Sequence, residues 1–241
     1  MSLMNKKFAY TLSEVLLTIA LLGALATMTL STVGASVQQR ARLAEFRTAY
    51  SKMNSALKTI TIDEGKIYQC YLLPTDDEKK EFGLNIAAGT TVSDNGGCRV
   101  LTDSFLRAMG VTKICEGDAV DLGCVPENYP TANGCFVSYD NVGAYVLDNS
   151  MIILTDSAGS LKIAAIDVNG RKGPNKWGQD IFPFSVKATE SVLSNGNISV
   201  TQLGIMPETG CGCTFDIGSA GKTTARMMKE SAGIIIKDKK N

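Results

Sequence analysis

The N-terminal part of the chain contains one long apolar block, which constrains the fold more than any other feature. Residues from Leu12 to Val33 are almost all apolar or small, and Glu14 is the only charged residue among them. A helix that crosses a bilayer needs roughly 20 apolar residues, so this block is long enough to span a membrane. A carboxylate in such a helix is costly without a partner, and the first cation downstream is Arg40. The partner of Glu14 must therefore come from the N-terminal side or from another molecule.

The residues around Glu14 form a specific pattern. Lys6 and Lys7 precede a small residue, Ala9, and the sequence continues as Tyr-Thr-Leu-Ser-Glu14 into the apolar block. This pattern resembles the leader and N-terminal helix of type IV pilins and type II secretion pseudopilins. The resemblance implies that prepilin peptidase cuts the chain between Ala9 and Tyr10 and N-methylates Tyr10.

The same resemblance implies a function and a set of partners. The chain would be a structural subunit of a type IV pilus or a type II secretion-like filament, and not an enzyme, with Glu14 paired to the Tyr10 ammonium of a neighbouring subunit. Its partners would be other pilin or pseudopilin subunits, the prepilin peptidase and an inner-membrane assembly platform. Two positions depart from the family pattern: Ala9 stands where Gly is usual, and Ser31 where a helix-breaking Pro is usual. The second departure favours a minor pilin or a pseudopilin.

Two other interpretations of the apolar block remain open. Ala24-Leu25-Ala26 matches the cleavage site of an ordinary signal peptide, although the apolar run continues past it to Val33. The block could instead be an uncleaved signal anchor for a disulfide-rich extracytoplasmic binding or adhesive domain that does not polymerise. A chain of that kind would tolerate changes at Glu14 and would keep its N-terminus uncut.

Charge and histidine content exclude several functional classes. Lys and Arg total 24 and Asp and Glu total 24, so the chain lacks the basic excess of nucleic-acid-binding domains. It contains no histidine, which excludes Ser-His-Asp and Cys-His catalysis and zinc sites of the usual Cys/His type. Lys6 and Lys7 place the leader in the cytoplasm by the positive-inside rule. We therefore expect a single-pass protein of the bacterial inner membrane with an exported C-terminal part, which then joins a periplasmic or extracellular filament.

All seven cysteines lie beyond the apolar block, on the side predicted to be exported. Oxidising compartments favour disulfides, so we expect up to three bridges and one remaining cysteine. The pair Cys115–Cys124 is favoured, and the other pairings cannot be deduced from the sequence. The candidates are Cys70, Cys98, Cys115, Cys124, Cys135, Cys211 and Cys213.

An amphipathic stripe predicts that the helix continues beyond the apolar block. Phe46, Tyr50, Met53, Leu57 and Ile60 follow one another in steps of four and three, which places them on one helix face. A continuous helix of this extent would be about 75 Å long at 1.5 Å per residue.

The chain is therefore divided into four predicted parts. These are a leader over 1–9, a transmembrane or filament-core helix over 10–34, the amphipathic half of that helix over 35–62, and an exported globular head over 63–241. In the head, β-prone runs separated by turn residues predict strands at 135–139, 144–147, 151–155 and 161–166. The predicted fold class is α+β: a long N-terminal helix, membrane-spanning in its first half, packed against a small antiparallel sheet of three to five strands and stapled by disulfides.

One loop of the head could bind a metal ion. Asp167, Asn169 and Asp180 lie in a glycine-rich segment and could supply the hard oxygen ligands that Ca²⁺ prefers. The segment departs from an EF-hand, because Arg171 occupies the fifth loop position and no Glu closes the loop at the twelfth. The alternative is a tight loop in which Asp and Asn bond their own backbone while Gly supplies positive φ angles.

Overall fold

The computed structural model describes residues 11–63, 70–87, 97–127, 129–130, 143–155, 161–208, 217–218 and 221–233, with the side chains of 28–36, 63 and 97 excepted. The chain divides into two compact units, residues 1–41 and 42–241. The first helix, α1 (Leu12–Asp63), contributes to both units.

In the first unit, α1 exposes apolar side chains. Every described side chain from Thr11 to Thr27 is exposed. Among the residues that the structure describes, no helix is both long enough and apolar enough to cross a membrane. The membrane crossing expected for 10–34 therefore stays a prediction.

The second unit is built on one antiparallel sheet of six strands, in which every strand pairs with its neighbours in sequence. The expected fold class, α+β with an antiparallel sheet, is confirmed, but the expected number of three to five strands is too low. The strands are β1 (Val111–Cys115), β2 (Ala144–Leu147), β3 (Ile152–Thr155), β4 (Ala164–Asp167), β5 (Ile181–Ser194) and β6 (Asn197–Pro207).

Strands β1, β5 and β6 were not predicted from the sequence, and the pattern of β5 explains why that strand was difficult to recognise. The first eight residues of β5 are all buried, so they lack the polar and apolar alternation that marks a half-exposed strand. They also include Pro183, a residue that argues against a central strand. The β5–β6 turn at Asn195-Gly196, with φ angles of 51° and 80°, has the Asn-Gly sequence typical of a hairpin, which indicates a strand on each side. The strand expected at 135–139 lies outside the described residues.

The second half of α1 packs its apolar stripe into the core, as the periodicity predicted. Of the predicted stripe, Phe46, Met53, Leu57 and Ile60 are buried and Tyr50 is half-buried; Ala49, which was not part of the prediction, is also buried. Phe46 meets Phe182 of β5 edge to face, with ring centroids 4.8 Å apart. A second buried cluster includes Cys115, Cys124, Ile152, Leu154 and Trp177. The buried apolar side chains described in this unit therefore form two clusters, and strand residues contribute to both.

The described part of this unit contains three further α-helices, α2 (Asp76–Phe82), α3 (Gly97–Ala108) and α4 (Thr224–Ser231). The start of α2 is fixed by a capping box, in which Thr75 and Glu78 exchange hydrogen bonds with each other's backbone N–H groups. The same Glu78 accepts a hydrogen bond from Lys187 of β5 at 2.6 Å, and both side chains are buried. Glu78 therefore both caps α2 and ties it to the sheet.

Candidate functional sites

The start of α1 holds the residue that the sequence singled out, Glu14. Its Oε2 accepts hydrogen bonds from the backbone N–H of Thr11 at 2.9 Å and from Thr11 Oγ1 at 3.0 Å. In return, the backbone N–H of Glu14 donates to Thr11 Oγ1 at 3.3 Å. This reciprocal arrangement is a capping box, which satisfies donors that a helix start otherwise leaves unpaired.

This local role of Glu14 was not predicted from the sequence. The signal was present, because Thr11-Leu-Ser-Glu14 has the spacing of Ser or Thr followed three residues later by an acid before an apolar run. The box uses Oε2 alone, and Glu14 Oε1 has no hydrogen-bond partner among the residues that the structure describes. One carboxylate oxygen therefore remains available to a donor from another molecule. Ala9 and Tyr10, the predicted processing residues, lie outside the described part of the chain.

The helix that follows Glu14 is apolar around its whole circumference. Successive residues of an α-helix are about 100° apart, so the apolar residues point in all directions rather than along one stripe. Their exposed fractions run from 42% for Val15 to 78% for Leu12. The set is Leu12, Val15, Leu16, Leu17, Ile19, Leu21, Leu22 and Leu25. Helices that are apolar on every side are typically buried, either in the core of a large protein or in a membrane.

The loop between β4 and β5 contains the three predicted calcium ligands. Asp167 Oδ1 accepts hydrogen bonds from the backbone N–H groups of Asn169 and Gly170, at 3.1 and 2.7 Å. Asp167 Oδ2 accepts one from the Tyr129 hydroxyl at 2.8 Å. Asp180 accepts two from the backbone, from Asn175 N–H at 2.7 Å and Lys176 N–H at 2.6 Å. Both carboxylates therefore organise the loop backbone.

A glycine in a left-handed conformation also shapes the loop between β4 and β5. Gly170 has a φ of 64°, a left-handed conformation that favours glycine. A Cβ atom at this position would lie 2.0 Å from the carbonyl oxygen of Ser150. These features are those of the tight loop in which Asp and Asn bond their own backbone, one of the two interpretations of the sequence.

The electrostatics of Asp167 follow from its position. Asp167 and Asp180 are both fully buried. Burial, followed by the nearby charge of Asp180, raises the pKa of Asp167 to about 7, although the donors from Tyr129, Asn169 and Gly170 act in the opposite direction. A carboxyl group with such a pKa changes its protonation within the physiological range.

Metal binding by this loop stays a prediction. Within the described residues, no group of three or more His, Cys, Asp or Glu side chains could hold a metal ion. The side-chain oxygens Oδ1 of Asn169 and of Asn175 are buried and accept no hydrogen bond in that part of the chain. Asn169 Nδ2 donates to the carbonyl oxygen of Gly173 at 2.9 Å, which fixes the direction of that amide. Calcium titration of the full chain would test the prediction.

Two disulfides are formed by the described cysteines. Cys115 pairs with Cys124, as the sequence analysis favoured, and Cys70 pairs with Cys98. The second bridge joins the segment after α1 to α3. Cys135, Cys211 and Cys213 lie outside the described residues.

Comparisons with family models, with curated proteins and with solved structures each found no match for this chain. A functional assignment therefore rests on the residues and geometry of the chain itself.

Proposed function

We propose that this protein is a structural subunit of a type IV pilus or type II secretion-like filament, of the minor pilin or pseudopilin kind. In this proposal prepilin peptidase cuts between Ala9 and Tyr10 and N-methylates Tyr10. The subunit waits in the bacterial inner membrane with its head exported, and an assembly platform then adds it to a filament. The proposed partners are other subunits, the peptidase and that platform, and no nucleic acid.

The observation that carries the proposal is the contrast between the two halves of α1. The second half buries Phe46, Met53 and Leu57 in the core of its own unit. The first half exposes Leu16, Leu22 and six other large apolar side chains on every side. Burying one such side chain fully is worth roughly 1.5–3 kcal/mol, so this half is strongly driven into a bilayer or a bundle of identical helices. A filament subunit uses these two environments in succession.

The placement of Glu14 supports assembly rather than simple anchoring. Its carboxylate keeps one oxygen without a donor in the described structure, at the start of a helix that needs an apolar environment. In the proposed filament, the Tyr10 ammonium of a neighbouring subunit supplies the missing donor and a compensating charge.

A second function has one observation in its favour. The capping box gives Glu14 a structural role within its own helix, and this role requires no second subunit. A signal-anchored, disulfide-rich binding or adhesive domain that does not polymerise would have the same Thr11–Glu14 contact. The two functions therefore differ in whether the charge of Glu14 is needed.

Substitutions at Thr11 and Glu14 separate the cap from the charge. Glu14→Gln keeps an acceptor at the capping position but removes the charge, because Gln also occupies this place in capping boxes. Thr11→Ala removes the cap but keeps the charge. For a filament subunit, we expect Glu14→Gln to lower incorporation into sheared filaments about tenfold or more, close to Glu14→Ala, with membrane insertion unchanged. Thr11→Ala should have a much smaller effect.

The opposite order of effects would rule out the pairing. If Glu14→Gln assembles normally and Thr11→Ala does not, the capping box alone accounts for Glu14. The N-terminus and intact mass of the membrane-extracted protein, with and without the peptidase, provide an independent test. A chain that begins at Tyr10 with one added methyl group supports the filament subunit, a start near Thr27 indicates a secreted domain, and an uncut start indicates the anchored domain.

A further inference from the structure

A groove with an apolar lining and cationic residues lies within the second unit, between α1, α2 and α4. Its volume is about 460 Å³, within the range of ligand-binding pockets. Tyr50 of α1, Phe82 of α2 and Met228 of α4 supply large apolar surfaces. Arg47 and Lys229 also line it, and they are its two charged residues.

The charge of Arg47 is not neutralised by an acidic side chain in the described residues. Its Nη2 donates a hydrogen bond to the main-chain carbonyl of Glu230 at 3.2 Å, and no described carboxylate lies within ion-pair distance. Lys229, by contrast, forms an ion pair with Glu81 and lies over the Phe82 ring at 6.0 Å. The groove therefore suits an occupant that combines an apolar side chain with a carboxylate.

The chain itself displays a surface of this chemistry. The loop 116–123, closed by the Cys115–Cys124 disulfide, exposes Leu122, of which 47% is accessible. Next to Leu122 lies the exposed carboxylate of Asp121, which has no ion-pair or hydrogen-bond partner for its side chain in the described structure. Asp118 adds a further negative charge to the same loop, whereas the carboxylate of Glu116 forms an ion pair with Arg99 at 3.4 Å.

This loop is also rigid. Asp118 Oδ1 accepts hydrogen bonds from the N–H groups of Val120 and Asp121, and the N–H of Leu122 donates to the Asp118 carbonyl at 3.0 Å. Together with the disulfide, these bonds fix Leu122 in place before any partner arrives. A preorganised surface loses little conformational entropy when it docks.

We propose that the groove binds the loop 116–123 of a second copy of this chain, with Leu122 among the apolar residues and Asp121 beside Arg47. The loop follows β1 at one edge of the sheet, while α4 packs on β5 and β6 at the other. Five strand spacings separate these edges by roughly 24 Å, so the two surfaces do not meet within one copy. A contact between two different surfaces is heterologous and can continue from copy to copy.

The inference deepens the proposed function. The contact itself does not depend on that function, but its consequence rests on it, because a contact repeated from copy to copy would run along the filament. The β5–β6 hairpin is the competing occupant: it exposes Val192 and Leu193 but carries a single carboxylate nearby, that of Glu190. The loop 116–123 matches the groove better because it presents two acidic side chains without an ion pair among the described residues, Asp118 and Asp121, and because it is cross-linked.

A charge exchange between two full-length copies tests the contact. The copies carry different affinity tags, are expressed together, and are extracted from membranes in detergent. We expect that a pair in which both copies carry Arg47→Glu, or both carry Asp121→Arg, copurifies about tenfold less than the wild-type pair, because like charges then meet. When one copy carries Arg47→Glu and the other Asp121→Arg, opposite charges meet at both contacts, and copurification should return.

Rescue in the mixed pair also shows that neither variant has simply misfolded. Two matched controls should leave copurification unchanged: Lys58→Glu, an exposed cation of α1 outside the groove, and Glu190→Arg on the hairpin. The inference is overturned if the pairs in which both copies carry the same substitution copurify like wild type, or if copurification does not return in the mixed pair. It is also overturned if a copy with Glu190→Arg restores copurification with a copy that carries Arg47→Glu. This readout is independent of Glu14 and of N-terminal processing, so it can succeed even where the filament proposal fails.

Discussion

The buried ion pair between Lys187 and Glu78 should be a strong determinant of stability. Lys187 Nζ lies 2.6 Å from Glu78 Oε1, and only 6% and 7% of the two side chains are exposed. Burial alone would raise the pKa of Glu78, but the hydrogen bonds from Lys187 and Thr75 and the charge of Lys187 outweigh it and lower that pKa. The carboxylate is therefore ionised in the folded protein and depends on its buried cation.

Replacing Lys187 with Met removes that cation and leaves the Glu78 carboxylate buried without it. Loss of one partner of a buried pair costs about 3–5 kcal/mol. With a denaturant slope of about 2 kcal/mol per molar urea, the unfolding midpoint of the detergent-solubilised full chain should fall by roughly 1.5–2.5 M. The double variant Lys187→Met/Glu78→Gln should lose less than Lys187→Met alone, because Gln carries no charge yet can still cap α2.

The same helix offers a matched control. Lys79 pairs with Asp76 at 2.9 Å, but 31% and 85% of these side chains are exposed, so water and salt screen the interaction. Lys79→Met should therefore shift the urea midpoint far less than Lys187→Met. Equal shifts for the two variants, or a double variant worse than Lys187→Met, would refute the account of the buried pair.

Two further predictions concern the loop between β4 and β5. Because the pKa of Asp167 is raised from 3.8 to about 7, the folded state retains a proton that the unfolded state has lost, and stability from this group falls as pH rises from about 4 to 7. The urea unfolding midpoint should therefore decrease between pH 5 and pH 7.5, and the decrease should be larger in wild type than in Asp167→Asn. An equal decrease in the two proteins would contradict this. Gly170→Ala should destabilise the protein well beyond Gly83→Ala: both positions have φ near 65°, which costs Ala about 1–2 kcal/mol, but only at Gly170 does the new Cβ meet a backbone oxygen, that of Ser150. Similar melting temperatures for the two variants would contradict the crowding at Gly170.

Local periodicity and loop length predicted part of this structure well. The steps of four and three from Phe46 to Ile60 identified the buried face of α1, because that face repeats with the period of a helix. The Cys115–Cys124 pair was predictable because a short connection keeps the two residues close. Strand β5 was not predicted because its first eight residues are all buried and so show no local alternation, although the Asn195-Gly196 hairpin signal between β5 and β6 was present in the sequence. The Lys187–Glu78 pair could not be predicted from local patterns, because its members are 109 residues apart.

The capping box and the proposed pairing of Glu14 are compatible, and together they explain why the charge of Glu14 would need a partner from a second chain. In water the carboxylate is satisfied by Thr11, by solvent and by its place at the positive end of the helix dipole. In the proposed filament, entry of the helix into an apolar bundle would remove the solvent and leave donors only at Oε2, so Oε1 would become a buried acceptor of a charged group. A cation from a neighbouring subunit of that proposed filament would remove the penalty only when the two helices are in the correct register. The cap would then orient the carboxylate, and the charge would select the neighbour, which is why Glu14→Gln is the substitution that separates the two roles.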